Sequence, residues 1–153
     1  MHLSPAQQLS LHTPVGDITV SALDDAIVAL DWGWSPMHTP SPLLDRARDW
    51  LNGFFDGDSD APDIPLRPVG SAFQKQVWRA MAAIPSGRTR SYGDLARELN
   101  TAAQAVGNAC GANPIPLLIP CHRVVGANGL GGFSGGDGLT TKTALLRLEG
   151  ARL

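Results

Sequence analysis

Apolar and polar residues alternate through GDITVSALDDAIVALDWGW, residues 16–34, on both sides of Asp24 and Asp25. A period of two is the spacing of a half-buried strand, so this stretch predicts a two-stranded antiparallel hairpin that turns at the aspartates. The period then lengthens. In SPLLDRARDWLNGFFDG, residues 41–57, Leu43, Leu44, Ala47, Trp50, Leu51 and Phe54 fall near helical spacing, with Ser41 as N-cap and Pro42 at the first helical position. DGDSDAPDIPLRPVG, residues 56–70, has neither period, and its Asp, Pro and Gly content disfavours both helix and strand. It reads as a linker, with a domain boundary near residue 66.

Beyond the linker the helix signals sharpen. SAFQ, residues 71–74, is a capping box, followed by Phe73, Val77, Met81 and Ile84 on one face until Pro85 stops the helix. SYGDLAREL, residues 91–99, predicts a second helix with Ser91 as N-cap, Leu95 and Leu99 inward, and Asn100 at its end. TAAQ, residues 101–104, reads as another capping box that opens a third helix at once. The apolar run GANPIPLLIPCHRVVG, residues 111–126, carries three prolines and predicts a buried extended segment. ANGLGGFSGGDG, residues 127–138, lacks the context of a phosphate-binding loop and reads as a pocket wall, and TTKTALLRLEG, residues 140–150, closes as a helix ending at Gly150. The pattern is α+β: a small antiparallel-sheet domain over 1–66, then a mainly helical domain over 67–153.

Composition refines this picture through its unevenness. The whole chain carries a net charge of -2 over 153 residues. Residues 1–66 hold two arginines against ten aspartates, a net -8, whereas residues 67–153 hold ten Lys or Arg against four Asp or Glu, a net +6. Such asymmetry points to an interaction surface on the basic side, and two short helices joined by a tight turn there read as a helix-turn-helix. The third helix, AAQAVGNACGA, has no large side chain. An ordinary helix is about 10–12 Å across and the minor groove about 6 Å wide, so a helix stripped to Ala and Gly suits that groove. Close packing on a neighbouring helix is the alternative reading. No apolar run reaches the roughly 18 residues of a membrane span, and the expected location is the cytoplasm.

Candidate chemistry centres on IPCHRVVG, residues 119–126. Two cysteines, Cys110 and Cys121, are too few for a disulfide scaffold and lack zinc-site spacing, so neither metal nor cofactor is expected. A thiol attacks as thiolate, and at an ordinary pKa near 8.5 it needs a base or a positive field. His122 and Arg123 are the adjacent suppliers. In an extended segment neighbours point to opposite faces, so His122 reaches Cys121 through a water or a bent backbone. Glu149, in the last helical turn, opposes the helix dipole and therefore calls for a cationic or N–H partner, for which His122 is a candidate.

NPIPLLIPCHRVVGANGLGGFSGG, with AFQKQVWRAMAAIPSGRTRSYGDLA upstream and LLRLEG downstream, resembles the O6-alkylguanine-DNA alkyltransferases, also called methylated-DNA-protein-cysteine methyltransferases. The resemblance runs from about Ser71 to Gly150 and is most specific at PCHRV. It implies an RNase H-like N-terminal domain and a winged helix-turn-helix behind it. It also implies repair of O6-alkylguanine in double-stranded DNA by a monomer that flips the base and works once, and it leaves activity on O4-alkylthymine open. Carried over residue by residue, Cys121 accepts the alkyl group, His122 activates it through water and Glu149 orients the histidine. Tyr92 donates to the leaving oxygen and Asn113 braces the turn. Gln104, Ser91, Ala105, Gly107 and Arg123 face DNA, while Val124, Phe133 and Ser134 line the base pocket. Gln104 stands where the family commonly has arginine, and Phe133 where tyrosine is frequent. A relative that only recognises alkylated bases replaces the cysteine, and a cysteine hydrolase turns over many substrates; both remain rival readings.

Overall fold

The expected hairpin is present as β2 (Ile18–Leu23) and β3 (Ala26–Trp32), joined at Asp24 and Asp25. Both aspartates take positive φ, 48° and 34°, the conformation that matches a two-residue turn to the twist of its strands. The computed structural model describes residues 6–39, 41–133 and 135–151. It adds a strand the sequence reading missed: β1 (Gln7–Leu11) pairs antiparallel with β2, giving a three-stranded sheet in the order β1-β2-β3. Only Leu9 and Leu11 mark β1, too short an alternation to stand out. Helix α1 (Pro42–Phe55) starts under the Ser41 cap and lays Leu44, Ala47, Leu51 and Phe54 on the sheet, where all four are buried.

The segment 56–70 contains no helix, but it is fastened to the sheet at one point. Ile27 N–H donates to Pro65 O (2.9 Å) and Arg67 N–H to Ile27 O (2.8 Å), a single parallel bridge at Leu66. The buried cluster then continues from the sheet and α1 into the second half without a break.

Helix α2 (Ala72–Ala82) opens with the predicted capping box: Gln74 N–H donates to Ser71 Oγ (3.1 Å) and Ser71 N–H to Gln74 Oε1 (2.9 Å). Its inner face buries Val77, Trp78 and Met81. Strand β4 (Arg90–Ser91) leads into α3 (Tyr92–Leu99), whose N-terminus is a second such box, between Ser91 and Asp94. Asn100 closes α3 in the left-handed region at φ 55°. Helix α4 (Ala103–Gly111) follows, and here the sequence reading is corrected. The Thr101 box does not form; Ala102 is the N-cap and no side chain caps the helix. Thr101 N–H is spent on Ala96 O (2.9 Å) to finish α3, so the chain turns extended one residue later than the hydroxyl. Gln104 is left exposed and free of any cap.

A second correction concerns residues 111–126. Ile115 through Pro120 are buried as expected, yet the segment is coiled rather than extended. Asn113 shapes it from both ends: Ile115 N–H donates to Asn113 Oδ1 (3.0 Å), and Asn113 Nδ2 donates to Ile119 O (2.8 Å). Cys121–Arg123 then form a single 3-10 turn. Strand β5 (Val124–Val125) pairs parallel with β4, which puts the start of α3 beside the turn, and α5 (Leu139–Leu148) packs across it.

Trp78 is the strut between α2 and α4, because its Nε1–H donates to Ala109 O at 2.8 Å inside the core. Trp78→Phe keeps an aromatic ring but removes this bond, leaving Ala109 O with the Ala112 N–H alone (3.2 Å), and the net loss of one such hydrogen bond costs about 0.5–1.5 kcal/mol. Urea unfolding is expected to show a loss of that size; unchanged stability would mean the bond holds nothing.

Candidate active site

The coiled backbone presents Cys121 as the first residue of the 3-10 turn, half-buried on the wall of a cavity of about 490 Å³. Tyr92, Gly107, Cys110, Gly111, Gly132 and Phe133 complete that wall. Four expected residues, Cys121, Tyr92, Gly107 and Phe133, are therefore brought together from α3, α4, the 3-10 turn and the glycine-rich loop. Asn113 and Cys121 also share a smaller cavity of about 180 Å³ behind the sulfur. The loop lies directly on Tyr92: a Cβ on Gly131, at φ +74°, would meet the tyrosine ring at 2.7 Å. Val124 is buried, Ser91 caps α3, and Ala105 is half-buried on α4. Ser134 lies outside the described residues.

Behind the thiol sits a buried carboxylate. Glu149 accepts from Arg123 Nε at 3.1 Å to each oxygen and also from Arg123 Nη2, and its Oε2 lies 3.1 Å from His122 Nε2. Arg123 Nη1 donates further to Ile84 O at 2.6 Å. This corrects the expectation that Arg123 faces DNA. Its guanidinium is turned inward and used up on Glu149, the cationic partner that an acidic residue at a helix C-terminus requires. Burial pushes the Glu149 carboxyl up, but His122 and Arg123 outweigh it and hold it below its usual range. His122 has no exposure at all, and burial lowers its pKa against the pull of Glu149. Burial thus favours the neutral imidazole. Neither ring nitrogen has an aligned hydrogen bond among the described residues, so Nδ1 is an open acceptor or donor position.

With His122 neutral and Arg123 committed, neither supplies a positive field to the sulfur. The cation is Lys142, a residue the sequence reading passed over. It is completely buried, and its Nζ donates to Val124 O (2.6 Å) and Gly132 O (3.1 Å), tying the turn to the loop. The same nitrogen stands 5.8 Å from the Tyr92 ring centroid. A signal existed: Lys142 precedes Leu145 and Leu146 by three and four residues and so shares their buried face. Burial raises the Cys121 pKa, and the Asn113 side chain, Lys142 and the N–H groups of the turn pull it back. Cys110 has no such help beyond Lys142. Its thiol donates to Met81 Sδ (3.3 Å), and burial with the nearby Cys121 pushes it up to about 12. Of the two thiols, the geometry favours Cys121 as the reactive one.

Trp32 is a second residue that sequence reasoning missed. From β3 it meets Phe133 edge-on at 6.3 Å and packs so closely on Gly135 that a Cβ there would lie 2.3 Å from the indole nitrogen. The N-terminal sheet thereby backs the pocket wall. No local pattern signals a contact of this span. Among the described residues no group of His, Cys, Asp and Glu is placed to hold a metal ion, and no helix is long and apolar enough to cross a membrane.

A fold of sheet, helix pair and buried carboxylate around one accessible thiol matches a known class. Residues 72–151 match the family model described as 6-O-methylguanine DNA methyltransferase, DNA binding domain. A methylated-DNA-protein-cysteine methyltransferase of Mycobacterium tuberculosis is 39% identical over 94% of this chain and 92% of its own. The constitutive enzyme of that name from Bacillus subtilis is 35% identical over 90% and 91%. A crystal structure of the M. tuberculosis protein in complex with DNA superposes at a TM-score of 0.84, with 39% identity over 94% of this chain and 92% of that one. The chain belongs to the methylated-DNA-protein-cysteine methyltransferase family.

The buried charges set two expectations. Replacing Lys142 with Met removes the buried cation that pulls the Cys121 pKa down, so the pH at which iodoacetamide alkylates Cys121 at half-maximal rate shifts upward; an unshifted profile would exclude Lys142 as a source of the field. Both His122 and Glu149 have folded pKa values below their unfolded ones, so the unfolded chain binds more protons as pH falls. The stability these two groups contribute is therefore full above about pH 6.5, the unfolded value for histidine, and declines below it, with Glu149 adding to the loss in its own range below about pH 4.5. Thermal melts of the wild type and of His122→Asn test this, the variant losing the upper part of the slope.

Proposed function

We propose that the chain reverses alkylation of DNA directly, moving the alkyl group from O6 of an extrahelical guanine to the sulfur of Cys121. The observation that carries this reading is the Cys121 thiol, the less buried of two cysteines on the wall of a cavity of about 490 Å³ that Tyr92 and Phe133 also line, a size suited to one purine. The Cys121 thiolate attacks the saturated carbon, the carbon–sulfur bond forms, and the carbon–oxygen bond breaks. Tyr92 supplies a proton or hydrogen bond to the departing oxygen, its own phenol held protonated by burial. His122, through a water at Nδ1, takes the thiol proton, and Glu149 fixes the ring. Asn113 braces the turn. The thioether is too stable for water to reverse, so each molecule acts once.

A base inside the duplex is out of reach, so the reaction requires flipping. Helix α4 supports this, since Gly107 and Gly111 line the cavity without side chains and exposed Gln104 at its start would enter the space the base leaves. Ser91 and Ala105 are the nearest further DNA contacts, and Val124, Phe133 and Ser134 the base pocket. The α3-turn-α4 unit supports a helix-turn-helix with the glycine-rich loop as its wing, and β1–β3 with α1 support a reduced RNase H-like domain. On this reading residues 1–66 buttress the site and residues 67–153 bind DNA and carry out transfer, as a monomer on double-stranded DNA and without a cofactor. O4-alkylthymine offers the same kind of leaving oxygen and is the second candidate substrate.

The stoichiometry of repair tests the proposal. With excess duplex containing O6-methylguanine, the guanine restored is expected to plateau at one equivalent of protein. Continued turnover would point to a hydrolase, and bound but unrepaired DNA to a recognition module. Gln104→Arg is expected to tighten binding to duplex by a few fold, since it adds a cation at the insertion point; unchanged affinity and rate would remove Gln104 from that role.

A further inference from the structure

On the face of α2 away from the thiol lies an apolar groove of about 380 Å³, lined by Leu66, Pro68, Trp78, Ala82 and Ile119 and bordered by Arg67, Lys75 and Arg79. All three ionisable groups at the groove are cations. None of them has a carboxylate partner among the described residues, which leaves three cations together at one apolar groove without a counter-charge. Arg48, Arg90 and Arg97 each pair with a carboxylate, whereas Arg46, Arg88 and Arg147 stand singly elsewhere without one among the described residues. The floor is rigid as well as apolar. Trp78 is pinned by its bond to Ala109 O, and Gly70 passes so close over the indole that a Cβ would lie 2.4 Å from it. The bridge between Leu66 and Ile27 fixes the opposite wall.

We infer that this groove docks an acidic peptide segment from a partner protein, with one aromatic or aliphatic residue seated against Leu66, Pro68 and Ala82 above the buried Trp78 and Ile119, and flanking carboxylates on Arg67, Lys75 and Arg79. Both halves of that description are needed. Phosphates alone would satisfy the cations but leave the apolar surface of Leu66, Pro68 and Ala82 wet, and an apolar peptide alone would leave the cations unpaired. Arginine at two of the three positions suits bidentate capture of carboxylates. The groove also touches both working parts of the site. Trp78 holds α4, and the Ile119 carbonyl receives bonds from Asn113 and from the backbone N–H of Cys121, so an occupant sits against the frame of the reactive turn without entering the cavity.

Fluorescence polarisation on the full chain tests the inference, using a short labelled peptide with a run of aspartates ending in Leu-Phe. Saturable binding is expected, weakened about tenfold or more by Arg67→Glu with Arg79→Glu, or by Ala in place of the terminal Phe of the peptide. Ala82→Trp, which fills the groove without changing charge, is expected to abolish binding at unchanged thermal stability. Arg147→Glu, at a cation elsewhere, should leave it intact. Absence of saturable binding overturns the inference, as does equal loss in Arg147→Glu or indifference to the terminal Phe, either of which marks unspecific charge attraction. Competition by undamaged duplex that is itself lost in the Arg67/Arg79 variant would assign the face to nucleic acid instead and likewise overturn it.

Discussion

The carboxylate of Glu149 is the group around which the reactive end of the protein is assembled. It sits at the end of α5 and faces away from solvent, a position unfavourable for a negative charge on both counts. Arg123 and His122, consecutive residues of the 3-10 turn, converge on it, and Arg123 reaches on to the end of α2 at Ile84. Three separate elements are thus drawn to one buried charge. With residues 122 and 123 held inward, the backbone has no choice but to turn, and Cys121 comes to the cavity wall.

Lys142 makes a complementary tie on the other side of the thiol. Its ammonium has no carboxylate partner among the described residues; it is satisfied by two backbone carbonyls, one from β5 and one from the glycine-rich loop. A buried amine without a counter-ion is costly, and its own pKa is lowered accordingly. The compensation lies in those two carbonyls and in the Cys121 thiol, whose ionised form the charge favours. Burial of the thiol and the nearby cation oppose each other, the first raising the Cys121 pKa and the second pulling it back.

Much of this was legible in the residues. Local patterns gave the hairpin turn at Asp24–Asp25, the boxes at Ser71 and Ser91 and the stop at Asn100, because each depends on neighbours a few positions apart. The Glu149 argument also succeeded, since a carboxylate at a helix C-terminus demands a partner whatever the fold, though the pattern named His122 and overlooked the stronger claim of Arg123. What failed required tertiary knowledge. Thr101 looked like a cap, but α3 had first use of its N–H. The proline-rich stretch looked extended, but Asn113 coils it from within. Trp32 was invisible for the same reason, since it reaches the site from the opposite half of the chain, whereas Lys142 carried a signal in its spacing to Leu145 and Leu146 that only the loop packed over it turns into burial. The family resemblance supplied roles for residues, such as Tyr92, to which no local pattern assigns chemistry.

The central claim is that the sulfur at position 121, and not the neighbouring one at 110, receives the alkyl group. Peptide mapping by mass spectrometry after reaction with duplex containing O6-methylguanine addresses it directly. The account predicts one added methyl on the peptide that contains Cys121 and none on that containing Cys110. A methyl on Cys110, or folded protein that restores guanine while both thiols stay unmodified, would contradict it.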